Sequence, residues 1–259
     1  MDEANQGTAA GAAPGGDRMN LLAEAFAWIF SPARLTGALP LPTAIAQHLA
    51  FTFGSVAIAA VIATPVGWLI GHTGRGRELA VFLSGAARAL PALGLVVLLW
   101  LVFGVAFKTE AAVAAFVVLA IPSILAGAYA GIEAIDRTVI DAGRAMGMTE
   151  WQILFRIEMP LGLSLLIGGF RSATLQVVAT VTIGAYIGVG GLGYYILQGI
   201  ALRDFPEILG ASIVVVALAL VLDGLFALLA RFAVPRTDGP RIRSAASAPA
   251  LARAPQFSR

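Results

Sequence analysis

A phosphate-binding loop needs a glycine directly before its lysine. The only lysine of this chain, Lys108, follows Phe107, so nucleoside triphosphate hydrolysis must come from another chain. His48 and His72 lie too far apart to share one face of a zinc-binding helix, and neither a G-x-S-x-G nucleophile turn nor an acidic metal cluster occurs. With no cysteine, thiolate ligands, thiol nucleophiles and disulfides are excluded together. No catalytic residue, metal or bound cofactor is expected of this chain, and an intramembrane enzyme is a weak rival reading.

The informative polar residues are those set in apolar sequence. Residues are 59% hydrophobic and only 12% charged, with mean hydropathy +0.87, where a soluble domain carries about 25% charge. In lipid a polar side chain is costly and is a functional candidate by default. Gln176, Thr180 and Thr182 interrupt one apolar run, and Pro91 and Gly94 break another, so these five are predicted to border a path through the helices. The plainer alternative is that the threonines bond their own helix backbone and Gln176 ties two helices. Arg88 and Arg171 are expected to pair with carboxylates or lipid headgroups near the membrane boundary, and Asp223 to anchor a helix crossing.

The elements that must position these residues are membrane-spanning helices of about 20 apolar residues each. Five runs qualify: Leu49 to Ile70, Leu79 to Phe107 with a proline break, Ala111 to Gly131, Leu161 to Val189, and Ile208 to Ala230. An all-α polytopic membrane protein is predicted. Residues 43–234 form its transmembrane domain, with His48 and His72 as interfacial residues at the ends of the first span. Residues 21–42 are read as an interfacial amphipathic segment, residues 1–20 as a disordered tail, and residues 235–259 as a disordered basic tail. Gly67 with Gly71, Gly127 with Gly131, and Gly184 with Gly188 form small-xxx-small pairs suited to close helix packing. Arg75, Arg77, Arg137, Arg144, Arg156 and the arginines from Arg231 onward fall on one side of the spans. Under the positive-inside rule that side is cytoplasmic, with the N-terminus outside.

Residues 132–160 are too polar to span and too patterned to be a linker. Read as helix, Ile132, Ile135, Val139, Ala142 and Met146 share one face. Gly147 stops that helix in the left-handed conformation. Thr149 and Gln152 then form a capping box that opens a second short helix, and Pro160 ends it. The product is a helical elbow on the cytoplasmic face.

Asp141-Ala142-Gly143, Gly147, Ile157, Met159 and Pro160 match in spacing the EAA loop of binding-protein-dependent ABC importer permeases, with Asp for Glu, Gly for the second Ala and Met for Leu. The resemblance covers about Thr43 to Phe232. It implies the type I ABC importer permease fold in a bacterial cytoplasmic (inner) membrane. It also implies ATPase coupling through Asp141, Ala142, Gly143, Gly147, Ile157 and Pro160. Small Ala142 and Gly143 would permit close docking, and Asp141 would face basic groups on the ATPase. The partners implied are a cytoplasmic ABC ATPase that uses ATP and Mg, a second permease chain, an external solute-binding protein and the lipid bilayer, with no nucleic acid. The stretches Ala89 to Leu95 and Ile187 to Gly193, with Arg203-Asp204 and Asp223, are most similar to osmoprotectant permeases for glycine betaine, choline, carnitine or proline. Trp68, Trp100, Tyr186, Tyr194 and Tyr195 are read as girdle or packing aromatics. An importer for methionine or another amino acid stays open, and an ATP-independent channel would leave the loop spacing unexplained.

Overall fold

The computed structural model describes residues 14–233, and every regular element among them is helical. The expected tail 235–259 and the first part of the expected tail 1–20 lie outside the described residues. Helix α1 (Pro14–Ile29) begins before residue 20, with proline, whose fixed φ suits a first helical turn, at its start. It is followed by α2 (Leu41–Thr73), α3 (Arg77–Ala89), α4 (Ala92–Phe103) and α5 (Lys108–Glu133). The elbow helices α6 (Arg137–Ala145) and α7 (Glu150–Ile153) come next, and then α8 (Met159–Gly184), α9 (Gly193–Leu202) and α10 (Phe205–Ala233).

Four helices are long and apolar enough to cross a membrane: α2, α5, α10, and the continuous run through α7 and α8. The run Leu79 to Phe107 differs from a single broken span. Its halves, α3 and α4, meet at 92°, because Leu90 before Pro91 is extended (φ −69°, ψ 129°) and Pro91 has no N–H to continue a helix. The pair counts as a fifth span only if taken together.

Helix α5 is the core, packed between α2 and α8. Gly67 and Gly71 of α2 admit Ala128 and Ile132 of α5; a Cβ on either glycine would lie 2.5 or 2.8 Å from those side chains. On its other side α5 presents Gly127 and Gly131 to Gly169 and Gly162 of α8, backbone against backbone. Close approach of this kind is how helices gain contact where lipid offers no hydrophobic drive. The third expected pair does not form. Gly184 packs under Phe116, whereas Gly188 lies beyond the end of α8 in a left-handed turn at φ 78°.

That turn opens a loop, residues 188–193, cradled by α2. The Gly191 N–H donates to Gln47 Oε1 at 3.2 Å, the Leu192 N–H donates to His48 Nδ1 at 3.3 Å, and Lys108 Nζ donates to the Gly188 carbonyl at 2.9 Å. His48 is therefore not interfacial. It is fully buried, and since Nδ1 accepts, Nε2 carries the proton and donates to the Val178 carbonyl of α8 at 3.0 Å. Helix α1 does more than lie on a surface: Ala25 and Trp28 are buried against Gly210 of α10, while Leu22, Phe26 and Phe30 face outward.

Candidate functional site

The elbow is built from local signals. Asp136 caps α6, accepting the Thr138 N–H at 2.9 Å, and its hydrogen bonds with Thr138 hold its carboxyl below the usual carboxylate range. Helix α6 closes in a Schellman motif. Gly147 takes φ 79°, its N–H donates to the Arg144 carbonyl at 2.9 Å, and the Met148 N–H donates to the Gly143 carbonyl at 3.2 Å. Thr149 then starts α7 in a complete capping box with Gln152.

Three details differ from the sequence reading. Residues 132–146 are not one helix: α5 ends at Glu133 and α6 restarts at Asp136, so the phase of the apolar face resets. The inward residues of α6 are Ile140 and Gly143, while Val139, Ala142 and Met146 point outward, Met146 at 75% exposure. Gly143 accordingly does not offer its bare backbone to a partner. A Cβ there would lie 2.9 Å from Ile157 Cδ1, so its smallness lets α6 close on the second arm of the elbow. Pro160 does not end the second helix. A π-helical turn, Leu154–Glu158, widens the backbone ahead of it, and the chain runs on into α8 with Pro160 in its first turn.

Asp141 is exposed and reaches Arg144 at 3.4 Å. Arg144 grips Glu150 with two hydrogen bonds, 2.9 and 3.1 Å, a charge-assisted fork that crosses the turn. Glu150 lies 3.6 Å from His72 Nε2, and His72 Nδ1–H donates to Glu158 at 2.6 Å. Glu158 is 2% exposed in the π turn. A line of charged and polar side chains thus runs from the middle of α6 to the last turn of α2. His72 is a joint between span and elbow, beyond its expected place at an interface. A cleft lined by Gly71, Tyr129, Arg77, Glu133, Arg137 and Ile140 flanks this joint. On the outer surface Trp151 and Phe155 stack with ring centroids 6.0 Å apart, both exposed, so the elbow ends in an unpaired apolar ridge.

The five residues predicted for a path divide between α8 and the α3–α4 corner. Thr180 Oγ1 donates to the Gln176 carbonyl at 2.8 Å and Thr182 Oγ1 to the Val178 carbonyl at 3.2 Å, so both hydroxyls bond their own helix, as the plainer alternative held. Gln176 is half-buried on α8, and Pro91 and Gly94 are exposed at the α3–α4 corner. Arg171 with Asp223 is a further polar pair that joins two spans. Two parallel bonds of 2.6 Å tie the middle of α8 to α10, the carboxylate pairing expected of Arg171 and the helix crossing expected of Asp223. A lone arginine in an apolar run signals some partner; its identity, on another helix, has no local signal. The same holds for Glu158, whose only forewarning is a carboxylate beside the apolar Ile157 and Met159.

Residues 63–239 match the family described as binding-protein-dependent transport system inner membrane component. The chain is 32% identical over 177 residues to carnitine transport permease protein OpuCB of Listeria monocytogenes, covering 68% of this chain and 80% of that protein. It is 33% identical over 205 residues to choline transport system permease protein OpuBD of Bacillus subtilis (strain 168), covering 77% and 90%. Among solved structures it is similar to a chain of the inward-facing MetNI methionine ABC transporter, with TM-score 0.67, 23% identity, and coverage of 75% of this chain and 96% of that one. That likeness matches the fold described above. The chain belongs to the binding-protein-dependent transport system inner membrane components.

Proposed function

We propose that this permease imports a small osmoprotectant, of the class of glycine betaine, choline, carnitine or proline, and that an ATPase docking on the elbow drives it with ATP and Mg. The observation that carries the coupling role is the elbow itself, a rigidly capped turn whose outward face, Ala142, Met146, Trp151 and Phe155, has no partner among the described residues. Asp141 at its tip offers the exposed carboxylate for a basic partner. The substrate class is supported by relatives named for carnitine and choline transport and by one of Salmonella typhimurium named osmoprotectant import permease protein OsmW, 32% identical over 185 residues.

In this reading the elbow lies in the cytoplasm of a bacterial inner membrane and the N-terminus outside, as the arginine distribution supports. Two permease chains and an external solute-binding protein complete the assembly. Closure of the ATPase pair pushes on the two elbows and biases the bundle toward an outward-open state, and hydrolysis returns it inward.

The test is uptake of radiolabelled betaine, choline, carnitine and proline, with methionine as control, in transporter-deficient cells carrying the gene cluster with or without this chain. Osmoprotectant uptake that needs both this chain and the ATPase is the expected result. Entry of methionine alone overturns the substrate class and leaves the importer.

A further inference from the structure

At the end of α2 opposite the elbow, about 50 Å away along that helix, a second cluster stands apart from everything used above. Trp28 of α1 and Tyr195 of α9 meet edge to face, ring centroids 5.1 Å apart at 86°, and form two walls of a corner. Tyr195 is fixed by its hydroxyl, which donates to the Leu39 carbonyl, and Tyr194 backs it at 5.4 Å. The floor is Glu207 of α10, 5% exposed. Its Oε2 accepts the Trp28 indole N–H at 3.3 Å, while its Oε1 is buried with no partner among the described residues.

The corner already holds a cation. The Arg34 guanidinium, from the short turn before α2, sits 4.8 Å from the Trp28 ring centroid and 5.9 Å from that of Tyr195, inside the range of cation–π attraction. Its fit to the carboxylate is poor. Among the described residues its one ionic contact, Nη1 to Glu207 Oε2, is 3.7 Å long, and its Nε is buried without a partner. Arginine brings five N–H donors and wants a fork of acceptors; the corner offers aromatic faces and one half-used carboxylate. A cation with no N–H group needs only the latter two.

We propose that this corner is an organic-cation site kept closed by Arg34, and that a quaternary ammonium takes the place of Arg34 between Trp28 and Tyr195, its charge balanced by Glu207. Arg34 is 27% exposed at its side chain and borders an open cleft with Thr36, Tyr194 and Gln198, so it has room to swing out. The choice of quaternary ammonium rests on the osmoprotectant reading; the existence of the site does not.

The test is saturable binding of radiolabelled tetramethylammonium to the purified permease–ATPase complex in nanodiscs, without binding protein. Arg34→Ala, and Arg34→Gln as a longer neutral variant should the first not assemble, are expected to bind at least ten-fold more tightly than the parent. Adding Glu207→Gln to either is expected to abolish the gain. Equal or absent saturable binding in parent and Arg34 variants overturns the site and leaves Arg34 a structural latch. The probe has no carboxylate and is read by binding alone. Failure of the corner with choline uptake intact therefore removes only this proposal, and binding at the corner with methionine alone entering cells removes only the substrate class.

Discussion

Gly131→Ala adds one methyl group where α5 and α8 have no side chain between them. Its Cβ would lie 2.5 Å from the Gly162 carbonyl oxygen and 3.1 Å from Gly162 Cα. Both are backbone atoms of a helix that cannot turn aside as a flexible side chain would. Relief to the 3.4 Å at which ordinary contact begins means parting the helices by about 0.9 Å at this level. A gap of that size forfeits roughly a quarter to a half of each contact's dispersion energy. Overpacking of this kind costs about 1–3 kcal/mol, against about 1 kcal/mol that alanine gains over glycine in a helix. Because the clash is with backbone, the cost falls at the upper end of that range, and the net expectation is a loss of about 2 kcal/mol, or about 4–8 °C in melting temperature for a domain of this size. Gly54→Ala on α2 is the control, because nothing lies within 4 Å of a Cβ there, and it is expected to melt at or slightly above the parent. The assay is thermal denaturation of the purified complex in one detergent, followed by size exclusion. If Gly131→Ala melts with the parent, or Gly54→Ala falls as far, backbone contact between α5 and α8 is not what holds this bundle together.

His72→Ala strands a buried carboxylate at Glu158. The expected cost is on the order of 3 kcal/mol, with ATPase activity less responsive to solute, and His72→Ala/Glu158→Leu is expected to recover melting but not coupling; equal losses in both would refute the pairing. Arg171→Leu or Asp223→Leu leaves one charge unpaired in an apolar span and is expected to lower the amount of inserted protein. The double substitution is expected to restore most of the membrane-inserted protein, read by quantitative blotting, and additive losses would count against the pair. Gly147→Asp moves a side chain into the left-handed region at about 1 kcal/mol, and Asp141→Lys reverses the charge at the tip of the elbow. Both are expected to insert normally and to hydrolyse ATP without uptake; unchanged transport in either would speak against the coupling role.

The elbow was legible because its determinants are neighbours in sequence. Gly147 supplies a left-handed stop, and Thr149 with Gln152 closes a box within one turn. Its orientation was not. Reading through Asp136, whose carboxylate is a cap, carried the helical phase of α5 into α6 and put the buried Ile132 on one face with Val139, Ala142 and Met146, which share the outward face of α6 opposite Ile140 and Gly143. Pro160 misled for a related reason: proline forbids a regular α-helical turn before it, and the π turn at 154–158 satisfies that prohibition without ending the helix. The pairs His72–Glu158, Arg171–Asp223 and Trp28–Glu207 lay out of reach, since a charge in apolar sequence announces a partner and says nothing about which helix supplies it.

The distribution of these features separates what holds from what is free to move. Glycine contacts lock α2, α5 and α8 together over the elbow half of the bundle, and His72–Glu158 fastens the elbow to the same body, so under the coupling role proposed above a push on the elbow would reach three spans at once instead of bending a loop. Helices α4 and α10 lie outside that body. Helix α4 leaves α3 at 92° with an exposed Pro91 at the corner, and α10 is the least buried span, joined to α8 at its middle by one charged pair. In the alternating-access mechanism proposed above, this three-helix body would move from the elbow end relative to α4 and α10. It follows that disulfide cross-links within α2, α5 and α8 are expected to leave uptake intact, whereas a cross-link from α4 to α8 is expected to stop it. Arrest by the first kind would show that the body is not rigid and that the elbow acts by a different route.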